Sequence, residues 1–285
     1  MCIIGAILGD IIGQPYEFMP LKADKDQFEL IKERNLFTDD TVMTIAVADA
    51  LLQLPTNHLS KPFIVHKAVI NSMKRWGRSY KNAGYGPMFY KWIDTNTSKP
   101  YGSFGNGSAM RVSSVGLFAD SLDMCSLLAK MTAEVTHNHP EGIKGAQAVA
   151  DSIWIANSLR GEGVRSCKEK IRDYISFVYH YDLSRTCDEI RHDYKYDVSC
   201  QGSVPESIIA FLDSNDYEDA VRNAVSLGGD ADTMACIAGG IAEACYGVKS
   251  ISQGLVEKGL IKLPEDMLNV IIRFYNRFEQ LDIKL

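Results

Sequence analysis

Apolar residues recur every three or four positions along most of this 285-residue chain, which is the spacing of an amphipathic α-helix. Within residues 40–54, for example, Met43, Val47 and Leu54 follow this spacing. A similar pattern after Pro140 indicates a long helix. The pattern predicts helices over residues 1–12, 40–54, 61–76, 121–135, 143–157, 165–179, 205–212, 216–227, 231–246 and 265–280.

Alternation of apolar and polar residues, the mark of a half-buried strand, is scarce. The best candidate for a strand is residues 194–198 (YKYDV). Neither a linker-like segment nor an internal repeat divides the chain. The sequence therefore predicts an all-α protein, a compact single-domain orthogonal helical bundle over residues 1–285, with a binuclear metal centre and functional loops.

Two long connections separate the predicted helices. Residues 14–37 contain Pro15 and Pro20, and residues 78–104 are rich in glycine and proline with room for one short helix. Connections of this length are uncommon in compact domains and often serve as lids or binding loops. We expect residues 14–37 to be a lid.

Composition and charge exclude several classes of protein. Hydrophobic residues make up 46% of the chain, charged residues 23%, and the formal net charge is −6, which argues against a general nucleic-acid surface. No apolar run approaches the roughly 20 residues that cross a bilayer. Seven scattered cysteines without a CxxC pair are typical of reduced thiols in a cytoplasmic protein.

Two short acidic clusters lie far apart in the chain, and each opens a predicted helix. They are residues 38–41 (TDDT) and residues 228–233 (GGDADT). Carboxylates and threonine hydroxyls are hard oxygen ligands, which suit Mg²⁺ or Mn²⁺ and suit zinc poorly. The alternative is that each cluster only caps its helix, because acidic residues complement the positive end of the helix dipole.

The two clusters form one site only if the fold brings them together. Asp230 and Asp232 stand two residues apart, so their carboxylates converge only if the backbone turns at the helix start, which the preceding glycines permit. Four adjacent carboxylates repel one another by about 4 kcal/mol per pair at 4 Å and an effective dielectric near 20. Two divalent cations would balance their charge.

Three further motifs are chemically suggestive. Residues 102–111 (GSFGNGSAMR) resemble a glycine-rich phosphate loop and equally an ordinary turn, and Arg111 is either a phosphate partner or a structural ion pair. Glu17 stands at the root of the expected lid, where a carboxylate is either catalytic or simply solvated. His137 and His139 lack further zinc ligands nearby, so a histidine that hydrogen-bonds backbone or substrate is the simpler interpretation.

The order of these motifs along the chain closely resembles the ADP-ribosylglycohydrolase family. The series is GDxxG followed by Glu17, then TDDT, GNGSAMR, THxH and GGDxDT, and it covers about residues 5 to 247. The resemblance implies an all-helical fold, a binuclear Mg²⁺ or Mn²⁺ centre, and hydrolysis of the glycosidic bond between ADP-ribose and an acceptor.

The resemblance also implies roles for individual residues. The implied metal ligands are Thr38, Asp39, Asp40, Asp230, Asp232 and Thr233. The implied catalytic residues are Glu17, Asp39 and Asp232. The implied substrate-binding residues are Gly105, Asn106, Gly107, Ser108 and His137, with Tyr85 as a stacking partner for a ring.

In the implied mechanism the metals hold the distal ribose and a water, and Glu17 steers or deprotonates that water or relays a proton to the leaving group. The implied partner is an ADP-ribosylated protein or a small ADP-ribose conjugate, and a monomer is favoured. Three alternatives stay open: a non-catalytic ADP-ribose or nucleotide-binding protein, another two-metal hydrolase such as a phosphoesterase, and a purely structural helical protein.

Overall fold

The computed structural model describes residues 1–19 and 28–278. Fifteen α-helices run through these residues: α1 Ile3–Gly13, α2 Asp39–Leu52, α3 Pro62–Ser79, α4 Pro87–Asp94, α5 Gly107–Met110, α6 Val115–Phe118, α7 Leu122–Ala133, α8 Pro140–Ser158, α9 Val164–Tyr179, α10 Cys187–Asp193, α11 Cys200–Leu212, α12 Tyr217–Ser226, α13 Ala231–Tyr246, α14 Gln253–Leu260 and α15 Glu265–Phe278. The prediction of an all-α fold is confirmed.

The predicted strand over residues 194–198 is wrong. The described part of the chain contains no strand, and its one β-type pairing is an isolated bridge between Gly105 and Ser199. The hydroxyl of Tyr194 donates to the carbonyl of Gly202, and Tyr196 is half-exposed. The alternation in this segment therefore reflects side chains of an irregular connection, which has no neighbouring strand to pair with.

All ten predicted helices are present, with their described ends shifted by at most three residues, except that α11 begins five residues before the predicted start. Ser199 caps α11 by accepting a hydrogen bond from the backbone N–H of Gly202, and Pro205 lies inside the helix. The predicted range starts at Pro205, and proline is unusual inside a helix because it lacks an N–H. The pattern also missed α6, α10 and α14, and α10 is held by a capping box between Thr186 and Glu189.

The packing of α1 against α13 organises the centre of the molecule. Gly5, Gly9 and Gly13 form one face of α1, and a Cβ atom on Gly9 would lie only 2.1 Å from the carbonyl oxygen of Ala235. The backbones of the two helices therefore touch. They run antiparallel, since Gly5 meets Gly239 and Gly13 meets Ala231. The end of α1 consequently lies beside the start of α13.

Helix α2 completes this centre and is buried along nearly its whole length. The hydroxyl of Thr44 on α2 and the thiol of Cys236 on α13 both donate to the carbonyl of Met110, at the end of α5. Asp49, near the other end of α2, binds Arg273 of α15 and Arg75 of α3. The two acidic motifs, on α2 and α13, and the glycine-rich motif on α5 are thus brought together by contacts with Met110.

The remaining predictions about organisation have mixed outcomes. The connection at residues 78–104 holds one short helix, α4, as expected. The expected lid over residues 14–37 and the end of the helix predicted over 265–280 fall partly outside the described residues. In the described part, no helix is both long and apolar enough to span a bilayer. The assignment of residues 1–285 to one domain stays a prediction.

Candidate metal centre

The centre is built around Asp10, a carboxylate in the apolar helix α1 with no exposed surface. Its oxygen Oδ2 accepts hydrogen bonds from the backbone N–H of Thr38 (2.9 Å), the N–H of Thr41 (3.1 Å) and the hydroxyl of Thr41 (2.5 Å). Its other oxygen, Oδ1, accepts from the hydroxyl of Thr38 at 2.7 Å. Asp10 therefore fixes the first turn of α2 from a different helix.

Asp39 and Asp40 lie in that first turn, where Asp39 is half-buried and Asp40 is buried. Asp40 is 2% exposed, and its oxygen Oδ1 has no hydrogen-bond partner. Burial and then the charge of Asp10 raise the pKa of Asp39 to about 8, and the same two causes raise the pKa of Asp40 well above its ordinary value. A buried carboxylate oxygen without a donor is costly unless a cation binds it.

The second acidic cluster meets the first at the start of α13. The hydroxyl of Thr233 lies 3.3 Å from Oδ2 of Asp40. Asp230 precedes the helix with φ −71° and ψ 80°, so the backbone turns there as the predicted convergence requires. Asp232 follows in the first helical turn and is 3% exposed.

Carboxylate oxygens form two adjoining triplets in this centre. Asp10, Asp40 and Asp232 offer oxygens within 4.8 Å of one another, and Glu17, Asp230 and Asp232 do the same, so the triplets share Asp232. In the described part of the chain, the main influences on the pKa values of these acids are burial, hydrogen bonds and other carboxylates, with no lysine or arginine among them. An uncompensated cluster of hard oxygen donors fits divalent Mg²⁺ or Mn²⁺.

Glu17 occupies the outer side of this centre. Its side chain is half-buried just beyond the short 3₁₀ turn Gln14–Tyr16 that follows α1. Burial and then the charge of Asp230 raise the pKa of Glu17 to about 7. A carboxyl with this pKa exchanges its proton readily near neutral pH, which suits a general acid or base.

The glycine-rich loop borders the centre, but two of its side chains are engaged inside the protein. Asn106 donates to Oδ2 of Asp230 at 2.7 Å and to the hydroxyl of Ser203 at 3.2 Å, so its amide holds a carboxylate of the centre. The hydroxyl of Ser108 donates to the carbonyl of Gly142 at 2.7 Å. A ligand at this loop would meet mainly Gly105 and Gly107, which are partly exposed, since Asn106 and Ser108 are buried.

His137 lies against the same loop. A Cβ atom on Gly107 would lie 3.2 Å from Nε2 of His137, while Nδ1 is 2.8 Å from the hydroxyl of Thr136. Burial and then the nearby charge of Arg111 lower the pKa of His137 well below its ordinary value, so the imidazole is neutral at pH 7.

Arg111 is neither a phosphate partner on the surface nor a member of an ion pair among the described residues. Its guanidinium is 1% exposed and donates to the carbonyls of Gly107 and Thr132 and to the hydroxyl of Thr136. Arg111 therefore ties the loop to the end of α7.

Aromatic side chains surround the centre in different environments. Tyr85 is 9% exposed and packs against Phe89 with ring centroids 5.6 Å apart, which leaves little of its ring for a ligand. Its predicted stacking role stays a prediction. The exposed ring of Phe18 and the half-exposed ring of Tyr196 lie 6.1 Å apart. Burial and then the carboxylates of the centre raise the pKa of Tyr196.

Two residues of the centre, Asp10 and Ser203, had no role in the sequence prediction. A signal for Asp10 does exist in the sequence. A single carboxylate in the apolar segment IIGAILGDIIG must find partners if the segment is buried on all sides. No local signal identifies Ser203, because its contact with Asn106 joins residues 97 positions apart.

Comparison with known proteins identifies relatives along the whole chain. A family model described as ADP-ribosylglycohydrolase matches residues 1–281. ADP-ribosylhydrolase ARH3 of Mus musculus is 26% identical, covering 88% of this chain and 84% of that protein. The ADP-ribosyl dinitrogen reductase glycohydrolase of Rhodospirillum rubrum is 25% identical, covering 93% of this chain and 90% of that protein.

A third relative and a solved structure extend the comparison. ADP-ribosylarginine hydrolase Tri1 of Pseudomonas putida is 24% identical, covering 90% of this chain and 72% of that protein. The solved structure is described as an ADP-ribosylglycohydrolase-related protein complex. It shares the fold with a TM-score of 0.69 at 24% identity, covering 96% of this chain and 95% of that one.

Proposed function

Because the chain belongs to the ADP-ribosylglycohydrolase family and is a hydrolase, we propose that it is a metal-dependent enzyme that cleaves the bond between ADP-ribose and an acceptor. The observation that carries the metal dependence is the pair of carboxylate triplets that share Asp232. Five acidic side chains, four of them buried, converge from α1, the turn that follows it and the starts of α2 and α13.

The proposed ligands come from the two acidic clusters, residues 38–40 and residues 230–233, whose oxygen donors suit two Mg²⁺ or Mn²⁺ ions. They are Thr38, Asp39, Asp40, Asp230, Asp232 and Thr233. The unpartnered Oδ1 of Asp40 supports this assignment, since a cation would offset the cost of burying a carboxylate oxygen that has no hydrogen-bond donor. When bound, the ions would supply Lewis-acid stabilisation of charge on the ribose and its leaving group.

We assign the proton-transfer role to Glu17. Its half-buried position and its pKa of about 7 leave it able to take a proton from an attacking water or to pass one to the leaving group. Burial and then neighbouring carboxylates raise this pKa, so cations that neutralise the carboxylates would lower it. Asp39 and Asp232 are the other carboxylates to which we assign catalytic roles.

The substrate is proposed to lie along the glycine-rich loop. The backbone of Gly105 and Gly107 is close to neutral His137, whose Nε2 faces the loop. Asn106 contributes by holding Asp230 in place. A loop of small residues permits the close approach of a diphosphate to backbone N–H groups.

The proposed partner is an ADP-ribosylated protein or a small ADP-ribose conjugate, and the proposed state is a cytoplasmic monomer. Seven free thiols in the structure are compatible with a reducing compartment. Arginine, serine, acetyl-ester and nucleic-acid-base linkages all remain candidates for the bond that is cleaved.

The test is release of ADP-ribose from a panel of modified acceptors, assayed side by side with Mg²⁺, with Mn²⁺ and with EDTA. We expect at least one linkage to be hydrolysed with metal and none after thorough chelation. Full activity in EDTA would refute the metal-dependent mechanism. Binding of ADP-ribose by calorimetry without turnover on any acceptor would show a non-catalytic binding protein instead.

A further inference from the structure

Asp10 lies among the proposed metal ligands, but its own oxygens are already occupied. Oδ2 accepts three hydrogen bonds and Oδ1 accepts one, all from Thr38 and Thr41. We infer that Asp10 is a positioning residue of the metal centre, which orients the hydroxyl of Thr38 and the first turn of α2 instead of binding a cation itself. This inference rests on the proposed function, in which Thr38 and Asp40 bind metal.

The first step of the argument concerns the single hydrogen of the Thr38 hydroxyl. This hydroxyl lies 2.7 Å from Oδ1 of Asp10 and 3.3 Å from Oδ2 of Asp40. The shorter contact is the stronger bond, so the hydrogen points to Asp10. The lone pairs of the Thr38 oxygen are then directed away from Asp10, as a cation ligand requires.

The second step concerns the free N–H groups at the start of α2. A helix start leaves N–H groups that acidic side chains of its own first turn commonly cap. In α2 the N–H of Thr41 is bound by Asp10, from another helix. This satisfies a donor that Asp39 or Asp40 would otherwise attract, and the Oδ1 of Asp40 is accordingly left without a partner.

The third step is the location of Asp10 on α1. Gly9 and Gly13 bring the backbone of α1 against α13 on either side of Asp10. Asp10 therefore links α1, which packs against α13 at Asp232, to α2, which carries Asp40. A residue in this place sets the distance between the two ligand groups, and outer carboxylates that orient metal ligands commonly affect metal affinity.

The experiment measures binding of Mn²⁺ to the metal-free full-length chain by calorimetry and by electron paramagnetic resonance of free Mn²⁺. In Asp10→Asn the side chain keeps one acceptor oxygen and gains an N–H₂ donor, so at least one threonine hydroxyl must turn its hydrogen elsewhere. We expect Mn²⁺ affinity to fall by about tenfold to a hundredfold.

Asp151→Asn is the matched control. Asp151 is likewise unexposed in a helix, α8, and accepts hydrogen bonds from the hydroxyls of Ser126 and Tyr179. Its replacement should destabilise the fold in the way that any loss of a buried acceptor does, without changing Mn²⁺ affinity. If Asp10→Asn lowers the melting temperature as the control does but binds Mn²⁺ as tightly as the unmodified chain, the positioning role is overturned.

A second pair of variants keeps the inference testable should Asp10→Asn not fold. Thr41→Val removes one donor to Asp10 with little change of shape, and Thr41→Ser retains that donor. Weaker Mn²⁺ binding in Thr41→Val and normal binding in Thr41→Ser support the role, whereas equal binding in both overturns it. An unmodified chain that binds no Mn²⁺ would overturn the proposed metal centre and this inference together, and binding that is unchanged by every substitution would overturn the inference alone.

Discussion

The hydroxyl of Thr233 lies 3.3 Å from a carboxylate oxygen of Asp40, although 193 residues separate the two in the chain. This contact joins the first turns of α2 and α13, so each helix presents its acidic start to the other. Either cluster alone would be an ordinary acidic helix start. Together they form a buried cluster of carboxylates, whose mutual repulsion bound cations would offset.

Removal of a central carboxylate is expected to abolish turnover. Asp232 belongs to both carboxylate triplets and Asp40 belongs to one. We expect Asp232→Ala and Asp40→Ala to lower kcat by about a hundredfold or more, while Asp94→Asn, which changes an exposed carboxylate on α4, leaves it unchanged. Loss below about tenfold, which is under 1.4 kcal/mol of barrier, would contradict the assigned roles.

Metal is expected to stabilise the fold as well as to support activity. Binding to the native state alone adds about 2.7 kcal/mol when the free metal concentration is 100 times Kd. The melting temperature of the chelated protein should therefore rise on addition of millimolar MgCl₂ or MnCl₂, and the same concentration of NaCl should have no such effect. An identical melting temperature with and without divalent metal would count against the site.

Glu17 is expected to matter for the chemical step more than for folding. Glu17→Gln keeps the size of the side chain but can no longer exchange a proton, so kcat should fall by about a hundredfold with a near-normal melting temperature. Glu29→Gln, which changes an exposed glutamate in the described part of the expected lid, is the control. Near-normal kcat in Glu17→Gln would assign proton transfer to another group.

The close contact of α1 and α13 is expected to control the geometry of the centre. In Gly13→Ala the new methyl group would lie 2.3 Å from the carbonyl oxygen of Ala231 and 2.6 Å from Cα of Asp232, so the helices must separate. We expect a loss of about 1–3 kcal/mol in the free energy of unfolding and a loss of activity.

Gly254 offers the matched control for that substitution. It lies in α14, and a Cβ atom there would meet nothing within 4 Å. Gly254→Ala should leave activity unchanged and stability at or slightly above its original value, since alanine is the better helix former. Equal effects of the two substitutions would show that crowding at Asp232 is unimportant.

Asp49 gives a dependence of stability on pH at a place outside the centre. Burial raises its pKa, but hydrogen bonds from Arg273 and Trp76 and the charge of Arg75 outweigh burial and leave the pKa below its ordinary value. Asp49 thus stabilises the fold above its unfolded-state pKa of about 3.9, and this contribution is lost as the pH falls through the lower folded-state pKa.

The measurement is denaturant unfolding of the unmodified chain and of Asp49→Asn between pH 7 and pH 3. The substitution should cost about 2 kcal/mol at pH 7, because hydrogen bonds to charged groups are lost, and the difference should shrink below about pH 4. A difference that stays constant across this range would contradict the ionised role of Asp49.

The sequence by itself determined the helical class and the chemistry of the acidic motifs. Helical period is a local property, since it records which face of each segment avoids water, and it predicted α2 and α13 closely. The identity of the ligand atoms is also local, because carboxylates and hydroxyls remain hard oxygen donors in any fold. Local pattern failed at residues 194–198, where alternation had no partner strand, and at Pro205, which lies inside α11.

Only the tertiary structure decided which groups meet. The register of α1 against α13 depends on Gly9 and Gly13 touching a backbone more than 200 residues away, and that register places Asp10 between the two acidic clusters. The same packing directs the amide of Asn106 to Asp230. Contacts of this kind depend on how closely two buried surfaces fit, which no single segment of the chain specifies.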